Sequence, residues 1–169
     1  MYDTTIAGFT GNYAIFDSDA YGDNNTPEQA ALISPAFDCS SKPAGANVVL
    51  NMKHFIYALT GQSVQLQISQ DGANYTTVAT IANTSYGSYS LNITDAVGSS
   101  STAYLKILYI GNWSYFYAVD DISISFITEN VPNAAENLNP VDGATDVPIN
   151  VSTTGACLLY TSPSPRDDR

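Results

Sequence analysis

Tyr117-Ala118-Val119-Asp120-Asp121-Ile122-Ser123-Ile124-Ser125-Phe126 is the stretch on which the reading of this chain turns. As a β-strand its side chains alternate between two faces, so Ala118, Asp120, Ile122, Ile124 and Phe126 share one side and Val119, Asp121, Ser123 and Ser125 the other. That places Asp120 on an apolar face. A carboxylate held there costs several kcal/mol unless it is hydrogen-bonded or bound to a cation, so the rest of the fold is expected to supply Asp120 with a partner.

The surrounding composition favours an all-β protein. Only 12 % of the 169 residues are charged while 44 % are hydrophobic, and tyrosine occurs 12 times. Short strands and polar turns are built from such residues, whereas exposed helices draw on Lys and Glu. No apolar run is long enough to span a bilayer. The formal charge of −11, from 16 acidic and 5 basic residues, opposes contact with nucleic-acid phosphates or an anionic membrane. It is compatible with cation binding and equally with an acidic surface that keeps the protein in solution.

Outward from the opening stretch, the chain reads as a succession of about eight strands. Asn12 to Phe16, Ala31 to Asp38, Val48 to Ala58, Gln62 to Ser69, Tyr75 to Ile81, Tyr89 to Ile93, Ala103 to Ile110 and Tyr117 to Ile127 carry the pattern. Val64, Leu66 and Ile68 alternate with Gln65, Gln67 and Ser69, and Asp71-Gly72 is a tight-hairpin signal. Helical periodicity of useful length is missing, so a two-sheet antiparallel β-sandwich is expected. The sole histidine, His54, shares a face with Val48, Leu50, Met52 and Ile56. It reads as a core or rim residue satisfied by one hydrogen bond rather than a catalytic or ligand group.

Asp17-Ser18-Asp19-Ala20-Tyr21-Gly22-Asp23-Asn24-Asn25 has the oxygen-rich, glycine-turned character of a Ca²⁺ loop. Its spacing departs from the EF-hand pattern, which is rejected; the competing reading is an Asx-rich turn capped by its own side chains. Near the other end, Trp113, Tyr115 and Tyr117, with Tyr86 and Tyr89 elsewhere, are candidate ligand-binding rings for a sugar or a protein partner. The competing reading has them covering the sheet and rim.

Together, Ala31 to Asp38 (ALISPAFD), Val64 to Tyr75 with its SQDGANY turn, Ala103 to Trp113 and Ala118 to Ile124 (AVDDISI) resemble the MAM-like jelly rolls. These include the cleaved-adhesin and choice-of-anchor domains of exported bacterial multidomain proteins. The similarity covers about residues 8 to 128. It implies a jelly roll with structural Ca²⁺ near its ends that serves adhesion or ligand recognition rather than catalysis. Carried onto this chain, the metal ligands are Asp17, Asp19, Asp23, Asn25 and Asp120, with one ion clipped between the acidic loop and Asp120; otherwise Asp120 accepts backbone N–H groups at a strand end.

The function expected is a Ca²⁺-stabilised, non-catalytic binding or adhesion module of a secreted or surface protein. Its partners would be a glycan or protein ligand on a cell or matrix surface and the other domains of its own longer chain, with no nucleic acid and no membrane insertion. The alternative is a carbohydrate-binding accessory domain of an exported peptidase or glycosidase. A structural spacer and a glycoside hydrolase are the weaker readings, the latter because no serine-nucleophile elbow or zinc signature occurs.

Beyond this domain (1–128), residues 129–137 read as a linker. Residues 138–156 resemble the truncated start of an immunoglobulin-like or fibronectin type III-like domain. Residues 157–169 read as a non-native tail, because Cys157 to Asp167 resembles the translation of a sequencing-library adapter. The tail contains two acids and two arginines, so the charge without it is unchanged, and Cys39 is left without a disulfide partner. No secretory signal opens the chain, and an internal fragment of a longer protein is the simplest expectation.

Overall fold

The computed structural model describes residues 8–23, 26–59 and 61–128. The expected linker (129–137), the truncated second domain (138–156) and the tail (157–169) lie outside the described residues, as does Asn25. The elements run β1 (Ala14–Asp17), α1 (Ser18–Tyr21), β2 (Glu28–Ile33), β3 (Asn47–Ile56), β4 (Ser63–Ser69), β5 (Thr76–Ile81), β6 (Ser85–Asn92), α2 (Thr94–Val97), β7 (Tyr104–Gly111) and β8 (Phe116–Ile127). Both helices are single turns. Among the described residues no helix is long and apolar enough to cross a membrane.

The strands form two antiparallel sheets, ordered β1-β8-β3-β6 and β2-β7-β4-β5. Pairing β1 with β8, β2 with β7, β3 with β6 and β4 with β5 is the connectivity of a jelly roll, a long ribbon rolled into a sandwich. The alternation that makes this possible is clearest in β3. Its Val48, Leu50, Met52 and Ile56 point between the sheets to meet Val64, Leu66 and Ile68 of β4 and Leu105, Ile107 and Tyr109 of β7. At the Asp71-Gly72 hairpin, Asp71 accepts bonds from the N–H groups of Ala73 (2.8 Å) and Asn74 (2.7 Å), and these donors hold its carboxyl far below the usual carboxylate range.

In β8 the expected facing is corrected. Lys53 lies opposite Asp120 and Asn51 opposite Ser123, so Met52 alone faces Asp121 and Ile122. This is a β-bulge, and it is turned by Asp121 at φ +50°, a conformation that Asp tolerates better than most residues. The extra residue changes the phase of the strand. Tyr117 and Val119 belong to the core before the bulge and Ile124 packs against it afterwards. Asp120 therefore lies on the outer face with Ala118 and Phe116, which join Phe55 and Phe9 in a second, smaller apolar cluster.

His54 is 1 % exposed. Its Nε2 lies 3.1 Å from the Ser85 hydroxyl, and its ring meets Tyr89 edge-on at 5.5 Å. Burial pushes its pKa below the ordinary value of 6.5. The unfolded chain then binds a proton more readily than the folded one as pH falls below about 6.5. Full stability is expected above that pH and a decline below it, with a slope of at most about 1.4 kcal/mol per pH unit. Thermal melts between pH 8 and 5 check this; a His54→Leu protein should show a flatter profile in that window.

Candidate functional site

One end of the sandwich gathers the loops after β1, β3 and β7, and a buried glutamate organises it. Glu28, the first residue of β2, is 4 % exposed and pairs across the ladder with Gly111, the last residue of β7. Its Oε2 accepts a short hydrogen bond from the Ser18 hydroxyl, and its Oε1 accepts the Trp113 backbone N–H at 3.2 Å. Ser18 Oγ in turn accepts the Ser114 N–H at 2.8 Å. On α1, the Asp19 N–H donates to the Tyr115 carbonyl at 3.0 Å. Burying a carboxylate is offset only by such donors, and here one comes from α1 and one from the 112–115 loop itself. The loop is fixed from beneath by β2 and α1.

That anchoring fixes the aromatic side chains. Trp113 sits at φ +43°, an uncommon conformation for a bulky residue that persists only where neighbours enforce it. The residue is 55 % exposed. Tyr115 is exposed and meets Tyr57, just past the end of β3, edge-on at 4.7 Å. Behind them Phe116 packs on Phe55 at 4.9 Å and Phe55 on the exposed Tyr86 at 5.6 Å. The Gln62 amide closes the adjoining turn by donating to the Phe116 carbonyl at 3.3 Å and accepting from Leu59 N–H at 3.1 Å.

Of the three rings expected to bind ligand, the structure presents Trp113 and Tyr115. Tyr117 is corrected: it is 4 % exposed and packs within the core, because the phase of β8 turns it inward. Burial pushes its hydroxyl pKa up. Glu28 was not singled out from the sequence, although a signal exists, since it is the only glutamate within residues 8–128.

The metal candidates do not come together as expected. Asp17 pairs opposite Phe116, and Asp120 lies four residues further along β8, roughly 13 Å at the rise of an extended strand. A Ca²⁺ ion holds its oxygens at about 2.3–2.6 Å, so one ion cannot bridge Asp17 and Asp120. Asp17 instead caps α1, accepting the Ala20 N–H at 3.0 Å, which is the Asx-turn alternative. Asp19 and Asp23 belong to the same bend. Among the described residues, no three His, Cys, Asp or Glu side chains form a group that could hold a metal ion.

No family model and no curated protein matches the chain. Among solved structures it is similar to TmCBM61 in complex with beta-1,4-galactotriose, at 16 % sequence identity and a TM-score of 0.36. The alignment covers 59 % of this chain and 62 % of that one, so the chain spans less than two thirds of that structure's length. A likeness this distant says nothing of what the present chain binds.

Proposed function

We propose that the domain is a non-catalytic carbohydrate-binding module of an exported multidomain protein, and that Trp113, Tyr115 and Tyr57 form its sugar-binding surface. The observation that carries the reading is the exposure of Trp113 and Tyr115 on a loop held by Glu28, with the exposed Tyr57 against Tyr115. A pyranose ring has an apolar C–H face and a polar rim. Trp and Tyr match it with an apolar ring and a polar tip, at low entropic cost when they are held in place beforehand. The 17–23 bend lies against the same loop, joined to it by the bond from the Asp19 backbone N–H to the Tyr115 carbonyl. Acid–base chemistry has no support from the buried groups, since His54 lies in the core and Glu28 is committed to Ser18 and Trp113.

Trp113 is the sole tryptophan, so its emission reports directly on this surface. Titration with neutral oligosaccharides, β-1,4-linked galactose and glucose series among them, is expected to shift the emission to the blue. Trp113→Ala and Tyr115→Ala should each weaken binding measured by calorimetry at least about tenfold, about 1.4 kcal/mol, with melting temperature unchanged. If no saccharide in the panel moves the emission or produces heat, the reading fails.

A further inference from the structure

We propose that the cleft along the β1/β2 edge is a second ligand site, separate from the aromatic end, and that it takes a small molecule carrying a protonated amine on a short apolar body, with the ammonium on Asp120. The outer strands of the two sheets, β1 and β2, meet here through small residues. Ala14, Ala30 and Ala31 leave the sandwich open, and between them lies a cavity of about 190 Å³ whose deeper wall is Ile107, Tyr117 and Val119. The opening continues past Ala14, Leu32 and Val119 into a recess lined also by Tyr13, Asp120 and Ile122.

At that end Asp120 Oδ2 is buried and has no hydrogen-bond partner. The lysine directly across the ladder does not supply one: Lys53 Nζ is engaged by Asp121 at 2.8 Å and by the Gly8 carbonyl at 2.7 Å. An unmet, desolvated carboxylate oxygen is costly, and a ligand bringing an N⁺–H donor recovers that cost with a charge-assisted bond once the carboxylate turns toward the recess. The size of the body follows from the cavity. A dry apolar space of about 150 Å³ accepts benzene, so this one fits a single ring or a chain of about four to six carbons. Ca²⁺ is a poorer match, because it requires six to eight oxygens, whereas of the residues lining the recess only Asn12, Tyr13, Asp120 and Asp121 carry side-chain oxygens and Asp121 is already paired with Lys53. The Tyr117 hydroxyl, also buried without a partner, belongs to another residue of the same cleft.

The test uses the full chain and four probes: 2-phenylethylamine, the neutral 2-phenylethanol, the anionic 3-phenylpropanoate and CaCl₂. Binding is followed by amide chemical shifts of residues 119–122 and by calorimetry. The amine is expected to bind at least tenfold more tightly than the alcohol, and the anion to be rejected. Asp120→Asn, which keeps the side-chain shape, should erase the difference between amine and alcohol. Ala31→Leu should weaken both, and Trp113→Ala should leave the amine affinity unchanged. Equal binding of amine and alcohol, absence of binding, a preference that survives Asp120→Asn, or shifts at 119–122 produced by CaCl₂ and not by the amine would each overturn the proposal. Loss of amine binding in Trp113→Ala would overturn it too, by placing the amine on the aromatic end. The comparison of amine with alcohol in the unaltered protein does not depend on any variant folding.

Discussion

Glu28→Ala lowers the stability of the domain by about 3 kcal/mol, a drop of roughly 10 °C in melting temperature for a domain of this size. The argument is one of stranded donors. Removing the carboxylate leaves the Ser18 hydroxyl and the Trp113 N–H buried with nothing to accept them, and each such group costs about 1–3 kcal/mol. The effect reaches the surface as well. Trp113 no longer has the bond that holds it at positive φ, so its emission should move to the red and saccharide affinity should fall with it. Glu28→Gln, which keeps an acceptor for the Trp113 N–H, should lose about 1 kcal/mol. Chemical denaturation followed at Trp113 and by circular dichroism measures both variants; equal losses for Ala and Gln would show that volume, rather than hydrogen bonding, is what Glu28 contributes.

Gly111→Ala is expected to cost about 2–3 kcal/mol, although alanine in a strand interior is ordinarily preferred to glycine by roughly 0.5–1 kcal/mol. The close approach of Tyr109 decides the sign. A Cβ on residue 111 would collide with the Tyr109 hydroxyl oxygen and stand 2.8 Å from Cζ, and Tyr109 is 2 % exposed with its ring against Phe16 at 4.3 Å. Neither ring nor strand has room to give. Combining Gly111→Ala with Tyr109→Phe removes the nearest contact but not the one to Cζ, so partial recovery, read as a coupling energy in a double-mutant cycle, is the expected outcome. A Gly111→Ala protein as stable as the parent would mean that the β7 end can shift without disturbing the Glu28 anchor.

Most of the fold was legible because burial imposes a strict period of two wherever the strands are regular. Val64, Leu66 and Ile68 in β4, and Val48 to Ile56 in β3, face the core as their alternation requires. β8 misled for a physical reason. Its pattern was read through Asp121 as one continuous pleat, whereas a residue at positive φ resets the phase, and a bulge made by Asp rather than Gly leaves little trace in sequence. Val119 and Asp120 were consequently assigned to the wrong faces. The start of β2 was read three residues late, at Ala31 rather than Glu28, which hid the carboxylate that anchors the aromatic loop. The exposure of Trp113 and Tyr115 was legible because large rings beside Gly and Asn in a turn have no core to enter.

The pairing of β1 with β8 and of β2 with β7 has a kinetic consequence. Each of the first two strands waits for one of the last two, so both sheets close through distant parts of the chain and the loop-closure cost precedes the gain from pairing. Refolding in milliseconds to seconds, rather than microseconds, is the regime for such topologies. During synthesis, Ala30, Ala31, Leu32 and Ile33 emerge long before their β7 partners Tyr109, Leu108, Ile107 and Lys106. Until those arrive, this apolar strand is the segment of the nascent chain most exposed to wrong partners.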